Sequence, residues 1–120
     1  MKKNFAIPMK KIKPIAEGHG GCFATDVIMV DGEPVGYMYR EQADFDEDSG
    51  WRFFAGIESQ TYLDDANNNG IYDVNVVANY APNIIPLLES PIGSAFEWDE
   101  DTDSFVAVDF DADDDEDEDA

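Results

Sequence analysis

The sequence predicts an α+β domain with a small, mostly antiparallel sheet of four to six strands and one or two short helices. Three observations support this class. A cluster of large aromatic residues lies between Gly50 and Gly56, several short β-prone segments are separated by turn signals, and the stretch after Asp73 has the apolar spacing of a helix. A chain of 120 residues is long enough for one hydrophobic core.

The aromatic cluster is the predicted centre of the sheet. It places Trp51, Phe53 and Phe54 around Arg52 in a seven-residue run that glycines bound. Apolar side chains point to both faces of this short run. We therefore predict a central strand at 51–55 that is covered on both sides.

The two ends of the chain differ in composition from the middle. Residues 1–21 are basic and then Gly-rich, and we expect a mobile or peripheral lead-in with a short edge strand near Ile12. Eight of the last ten residues are acidic, so we expect a disordered acidic tail at 110–120. Residues 22–109 are predicted to form a single α+β domain.

Residues 22–39 carry the clearest hairpin signal. The β-prone segment 22–30 predicts a strand, and the Asp31-Gly32 turn followed by β-prone residues 35–39 predicts a hairpin. Gly36 inside the second strand indicates a bulge or a close approach of another backbone.

The second half of the chain alternates short helices and turns. Residues 58–65 predict a helical turn, and Asp73 is the expected N-cap of a second helix that Pro82 ends. Its apolar face has the spacing i, i+3, i+4, i+7. That face consists of Val74, Val77, Ala78 and Ala81.

Turns and a hairpin complete the predicted elements. Residues 67–70 have the composition of a turn, and the apolar cluster 84–88 contains a proline that permits only a short helix. Residues 94–98 and 105–108 are predicted to pair as a hairpin around the acidic turn 99–103.

The charge is extreme and unevenly distributed. The chain has 28 acidic and 7 basic residues, a net charge of −21, and Arg52 is the only basic residue after Arg40. Such a surface repels nucleic acid and anionic membranes, so we expect neither as a partner. It attracts cationic partners or divalent metals, or serves only to keep the protein soluble.

Cysteine content and hydropathy indicate a cytoplasmic protein. Cys22 is the single cysteine and has no partner for an internal disulfide, which suits a reducing compartment. No stretch has the length and hydropathy of a membrane span.

Cys22 and His19 form the only thiol–imidazole combination, and no third group is in place to orient the base. We predict no catalytic residues and no cofactor.

One segment resembles the first half of a calcium loop. Oxygen-bearing residues fall at positions 1, 3, 5 and 9, with Gly70 at position 6, but Val76 stands at position 12 where a bidentate Glu is needed. The alternative is an Asn/Gly turn that leads into a capped helix. The calcium ligands in the first case would be Asp65, Asn67, Asn69 and Asp73.

Several strings in the chain resemble a bacterial immunity-protein family of polymorphic toxin systems, formerly a domain of unknown function. They are residues 22–26, 35–41, 49–56, 70–75, 84–88 and 91–97, of which Gly-Trp-Arg-Phe-Phe-Ala-Gly at 50–56 is the most specific. The resemblance covers roughly residues 20–98. It implies a non-catalytic binding protein that neutralises a toxin by occluding it, and it carries over no catalytic residue.

We therefore expect a cognate protein toxin as the partner, with a basic surface that complements the acidic chain. The protein itself is expected to be a monomer or a weak homo-oligomer. The alternative is a solitary calcium-binding or housekeeping domain of unknown role. The expected contact residues are acids of the loop 41–49 and nearby aromatic or basic residues: Asp44, Asp46, Glu47, Asp48, Trp51, Arg52, Tyr62 and Tyr72.

Overall fold

Six strands form a single sheet in the computed structural model, which describes residues 5–108. The strands are β1 (Gly21–Thr25), β2 (Tyr37–Arg40), β3 (Asp48–Phe54), β4 (Asn69–Asp73), β5 (Ala95–Asp99) and β6 (Ser104–Val108). Their order is β4-β1-β3-β2-β5-β6. Within the described residues β1 and β3 run parallel and the other four neighbouring pairs are antiparallel.

Short helices complete this α+β fold, and the predicted class is confirmed. The described residues form three α-helices, α1 (Asp26–Met29), α2 (Gln60–Asp64) and α3 (Val74–Tyr80), and short 3-10 helices at Met9–Lys11, Ala66–Asn68 and Pro82–Leu87. The segment that the structure describes has no helix with the length and apolar character that a membrane crossing requires.

Strand β3 is the centre of the sheet, as the aromatic run predicts. It lies between β1 and β2, and the side chains of Trp51 and Phe53 are almost completely buried in the same core cluster as residues of α3 and the Pro82–Leu87 helix. The Trp51 indole N–H donates to the Leu88 carbonyl at 3.3 Å, so its one polar group is satisfied inside the core.

Helix α3 begins and packs as predicted. The Asp73 carboxylate accepts a hydrogen bond from the Asn75 N–H at 2.8 Å, which is N-cap geometry. The four apolar residues of the predicted face are all buried. The helical turn predicted at 58–65 is α2, and the hairpin predicted at the end of the domain is β5–β6.

The predicted hairpin at 22–39 is wrong. After β1 the chain forms α1 instead of extending to residue 30, and β1 and β2 flank β3 on opposite sides. Val27, Ile28 and Met29 are consecutive and all buried, which a helical turn on the core achieves and a strand with alternating faces does not. Gly32, with φ of 81°, lies just past the helix end, where glycine favours the left-handed backbone.

Two further expectations need correction. Residue 12 is not in an edge strand; the Met9–Lys11 helix precedes it, and the lead-in packs on α3, where the Asn75 side-chain oxygen accepts from the N–H groups of Ile15 and Ala16. The turn predicted at 67–70 is a 3-10 turn followed at once by the edge strand β4, which pairs with β1. The acidic tail predicted at 110–120 lies outside the described residues.

Gly36 marks a close backbone approach, as predicted. A Cβ atom at this position would collide with the Ala55 carbonyl oxygen. The Gly36 N–H donates to the Phe54 carbonyl at 2.9 Å, so the end of β3 is held tightly against the segment that leads into β2.

Candidate functional site

The side of the sheet opposite α1 and α3 carries a group of aromatic residues around one arginine. Side chains alternate along each strand, so the strand register places Phe23 and Tyr39 on either side of Arg52. Tyr37 and Phe54 are paired on the same side. We call these five residues the aromatic face. Four of them are half-buried and Arg52 is buried.

The rings on this face contact one another. Tyr39 and Phe54 stack with centroids 5.7 Å apart and an interplanar angle of 18°. Tyr37 lies 5.8 Å from the Tyr39 ring and 6.0 Å from the Phe54 ring. Offset and tilted contacts at these distances stabilise an aromatic cluster beyond the area that it buries.

Arg52 joins the aromatic face to the acidic side chains beside it. Its guanidinium makes two hydrogen bonds to Asp48, at 3.0 and 2.8 Å, and a third to Glu41 at 2.7 Å. The Asp44 carboxylate lies 3.6 Å away. The guanidinium carbon is 4.4 Å from the centroid of the Phe23 ring, a cation–π distance.

Burial and hydrogen bonding shift the pKa values of Asp48 and Arg52 in opposite directions. Hydrogen bonds from Arg52 lower the pKa of Asp48 to about 2, although burial opposes the shift. Burial alone would lower the pKa of Arg52, but its bonds to Asp48 and Glu41 outweigh that effect and raise it. The pair therefore stays charged throughout the physiological range.

Backbone contacts fix the acidic loop (residues 41–47) against β3. The Asp44 N–H donates to the Asp48 carboxylate at 2.7 Å, and the Glu41 N–H donates to the Gly50 carbonyl at 2.9 Å. Gly50 has φ of 90°, and a Cβ atom there would collide with the Glu41 carbonyl oxygen. This position requires glycine, which explains the glycine at the start of the aromatic run.

A cleft of about 350 Å³ opens on the aromatic face. Its walls include the rings of Phe23, Tyr39 and Phe54, and residues of α2 and the turn after it form one side. The charged residues of its lining are Glu41, Asp44, Asp64 and Arg52. Since Arg52 is already bound by Asp48 and Glu41, the cleft has an excess of negative charge.

The six expected contact residues of the acidic loop and β3 fall into two groups. Asp44, Asp46 and Glu47 are exposed on the acidic loop. Trp51, Arg52 and Asp48 are buried in β3, and Arg52 and Asp48 bond to Glu41 and Asp44 of the acidic loop. The structure thus brings Asp44, Asp48 and Arg52 into one cluster.

The two expected tyrosine contacts lie away from that cluster. Tyr62 is half-buried on α2, where burial and then the nearby Asp26 carboxylate raise the pKa of its phenol. Tyr72 is half-buried on β4, and its ring meets Phe5 edge-on with centroids 5.8 Å apart.

The sequence did not identify the three rings of the cleft as site residues, whereas Glu41 and Asp64 lie within the expected contact segments 41–49 and 62–72. The available signal was alternation: Arg52 and Phe54 must share a face that Trp51 and Phe53 do not. The contribution of Phe23 was not visible, because it depends on the parallel pairing of β1 with β3.

The two carboxylates of the calcium hypothesis serve as local caps. Asp65 accepts from the Asn67 N–H at 2.9 Å, and Asp73 caps α3. The extended strand β4 begins at Asn69 and separates these two carboxylates. Within residues 5–108 no three His, Cys, Asp or Glu side chains are grouped in a way that could hold a metal ion.

Cys22 and His19 do not form a reactive pair. Cys22 is part of the hydrophobic core and has no exposed area. Burial, and next the charge of Asp73, raise the pKa of its thiol, which disfavours the nucleophilic thiolate. The His19 Nδ1 atom lies 3.9 Å from a Glu89 carboxylate oxygen.

Comparison with known proteins gives one family. Residues 22–109 match the model of a family described as Immunity protein Imm33 domain. Neither the search of the curated proteins nor the search of the solved structures found a match. The matched span covers well over half of the chain, and it includes the aromatic face, the acidic loop and the cleft.

Proposed function

The chain belongs to the Imm33 family of immunity proteins, and from this membership we propose that it neutralises a cognate protein toxin by binding and occluding it. Protection of this kind needs affinity and shape but no chemistry from the immunity protein. We therefore assign the chain the role of a non-catalytic binding module that acts in the cytosol of a bacterium, where the free Cys22 stays reduced.

The observation that carries the proposal is the aromatic face beside the exposed acids of the acidic loop. Half-buried tyrosine and phenylalanine rings bordered by charged residues have the composition of a protein interface, with an aromatic centre and a polar rim. The rim here is almost entirely negative. A partner with a basic surface would be steered toward it and would meet complementary charge on contact.

Within this proposal the expected contact residues have different roles. Asp44, Asp46 and Glu47 are exposed and would meet the toxin directly. Arg52 and Asp48 would act from beneath by holding the acidic loop in place, and Trp51 by anchoring β3 in the core. Tyr62 and Tyr72 are proposed as outer contacts, reached by a partner that extends beyond the face onto α2 or β4.

The test is protection against a toxin encoded beside the gene for this chain. Co-expression of the chain should restore growth of cells that produce the toxin, and the two proteins should co-purify at low salt. The triple variant Asp44→Asn, Asp46→Asn, Glu47→Gln should remain folded and bind at least about tenfold more weakly, because it loses charge complementarity.

A matched control removes three acids from the β5–β6 turn. Glu100, Asp101 and Asp103 are equally exposed, and the variant Glu100→Gln, Asp101→Asn, Asp103→Asn should keep full protection. Wild-type protein that neither protects nor forms a complex at low salt with such a toxin would contradict the proposal. Equal losses in both triple variants would assign the effect to total charge and not to the acidic loop.

A further inference from the structure

We propose that the cleft on the aromatic face receives an arginine side chain projecting from the surface of the partner. The inference rests on the proposed function, since it specifies the chemistry of the toxin that this face recognises. It is drawn from the rings, the charges and the volume of the cleft.

The aromatic rings that line the cleft supply apolar surface for a guanidinium. Tyr39 and Phe54 lie nearly parallel, and both line the cleft. A guanidinium is planar and weakly hydrated, so it stacks on aromatic faces more readily than an ammonium does. A lysine would gain the charge interaction but little from the stacking.

The carboxylates of the lining supply the countercharge. Asp44 and Asp64 are exposed at the cleft, Asp44 lies 3.6 Å from Arg52, and Glu41 is bound to Arg52 on its inner side. Burial and then the charge of Glu41 raise the pKa of the Tyr39 phenol, which agrees with a negative potential in the cleft. A cation that enters the cleft would replace repulsion between carboxylates by attraction.

The protein already uses this chemistry next to the cleft. Arg52 lies over the Phe23 ring and is bound by carboxylates on its edges. An incoming guanidinium would repeat that arrangement one step outward, on Phe54 and Tyr39, with Asp44 and Asp64 in place of the inner acids.

Net charge and size disfavour other occupants. A second copy of the chain carries a net charge of −21, and the last ten residues of the chain contain eight acids, so like charge opposes both at this face. A volume of about 350 Å³ is at the low end for ligand pockets, which span roughly 300–1,000 Å³. It suits one side chain and not a helix.

The experiment titrates the isotope-labelled full chain with N-acetyl-arginine amide and follows amide NMR shifts. We expect saturable shifts in Phe23, Tyr39, Phe54 and Leu63 at concentrations on the order of millimolar, as befits so small a ligand. The neutral isostere N-acetyl-citrulline amide should give none of these shifts, and N-acetyl-lysine amide should bind at least severalfold more weakly.

Two charge variants make the test specific. Asp64→Asn should weaken binding severalfold yet stay folded, since Asp64 is exposed and Asn retains the oxygen that accepts from Gln60. Asp101→Asn removes the same charge from the β5–β6 turn and should have no effect. Shifts that do not saturate, that occur equally with citrulline or lysine, or that respond equally to both variants would overturn the inference.

The growth assay keeps the two proposals separate. A chain that protects against its toxin but shows no arginine binding in the cleft refutes this inference and leaves the proposed function in place. A chain that binds the arginine amide in the cleft but gives no protection supports arginine binding by the cleft and contradicts the proposed function.

Discussion

Arg52 and Asp48 form an ion pair that folding removes from water. Their side chains are 4% and 0% exposed, respectively, and two nearly parallel hydrogen bonds join them. Removal of one partner from such a pair leaves the other charge buried without compensation. The cost of that change exceeds what the intact pair contributes to stability.

The substitution Asp48→Asn should therefore lower the free energy of unfolding by about 3 kcal/mol. Urea unfolding at neutral pH measures the change. Asp46→Asn removes the same charge from an exposed position in the same segment and should change the free energy of unfolding by less than about 0.5 kcal/mol. Similar effects of the two substitutions would contradict the role of the buried pair.

The substitution Asp48→Asn should also change how the free energy of unfolding depends on pH. The pKa of Asp48 falls from 3.8 to about 2 on folding, so its stabilisation is fully present above about pH 4 and is lost as the pH falls through about 2. That loss is about 2 kcal/mol for the wild type. The unfolding free energy of Asp48→Asn should decline less over this interval, and parallel pH curves for the two proteins would be the contrary result.

Elements that depend on adjacent residues were predicted correctly. Asp73 predicts the start of α3, and the acidic turn at 99–103 predicts the β5–β6 hairpin. The Asp31-Gly32 signal failed because the same residues also suit the end of a helix, and burial of Ile28 and Met29 selected that alternative. A local turn signal does not say which strands it joins.

The Asp73 cap provides a prediction for a single element. Asp73→Ala should lower the free energy of unfolding by about 1 kcal/mol, because it removes the acceptor for the Asn75 N–H. Asp73→Asn keeps an oxygen at that position and should cost only a few tenths of a kcal/mol. Urea unfolding of both variants measures this, and equal losses would indicate that the charge of Asp73, and not its cap, stabilises the fold.

The acidic character of the whole molecule was predictable from composition, but the aromatic face was not. The face exists because β1 pairs in parallel with β3 and so brings Phe23 beside Arg52, although 22–26 and 49–56 are far apart in the chain. Non-local pairing of this kind leaves no signature in a short window of sequence. The strand that carries Arg52 could be predicted; its neighbours on the sheet could not.

The net negative charge should control the rate of association with the toxin. The rate constant for association with the toxin should fall at least about tenfold between about 0.05 M and about 0.5 M salt, because screening removes long-range attraction. The dissociation rate constant should change much less. Stopped-flow measurements of both constants test this expectation, and an association rate that does not depend on salt would exclude electrostatic steering.

The position of β3 in the sheet also matters during synthesis. Strand β2 precedes β3 and can pair with it at once, but the elements that cover Trp51 and Phe53, α3 and the Pro82–Leu87 helix, follow later in the chain. At about 5–20 residues per second, the nascent polypeptide would display these two aromatic side chains for a few seconds before their cover leaves the ribosome. The most buried strand of the finished domain is thus one whose apolar side chains are exposed to aggregation while the domain is being made.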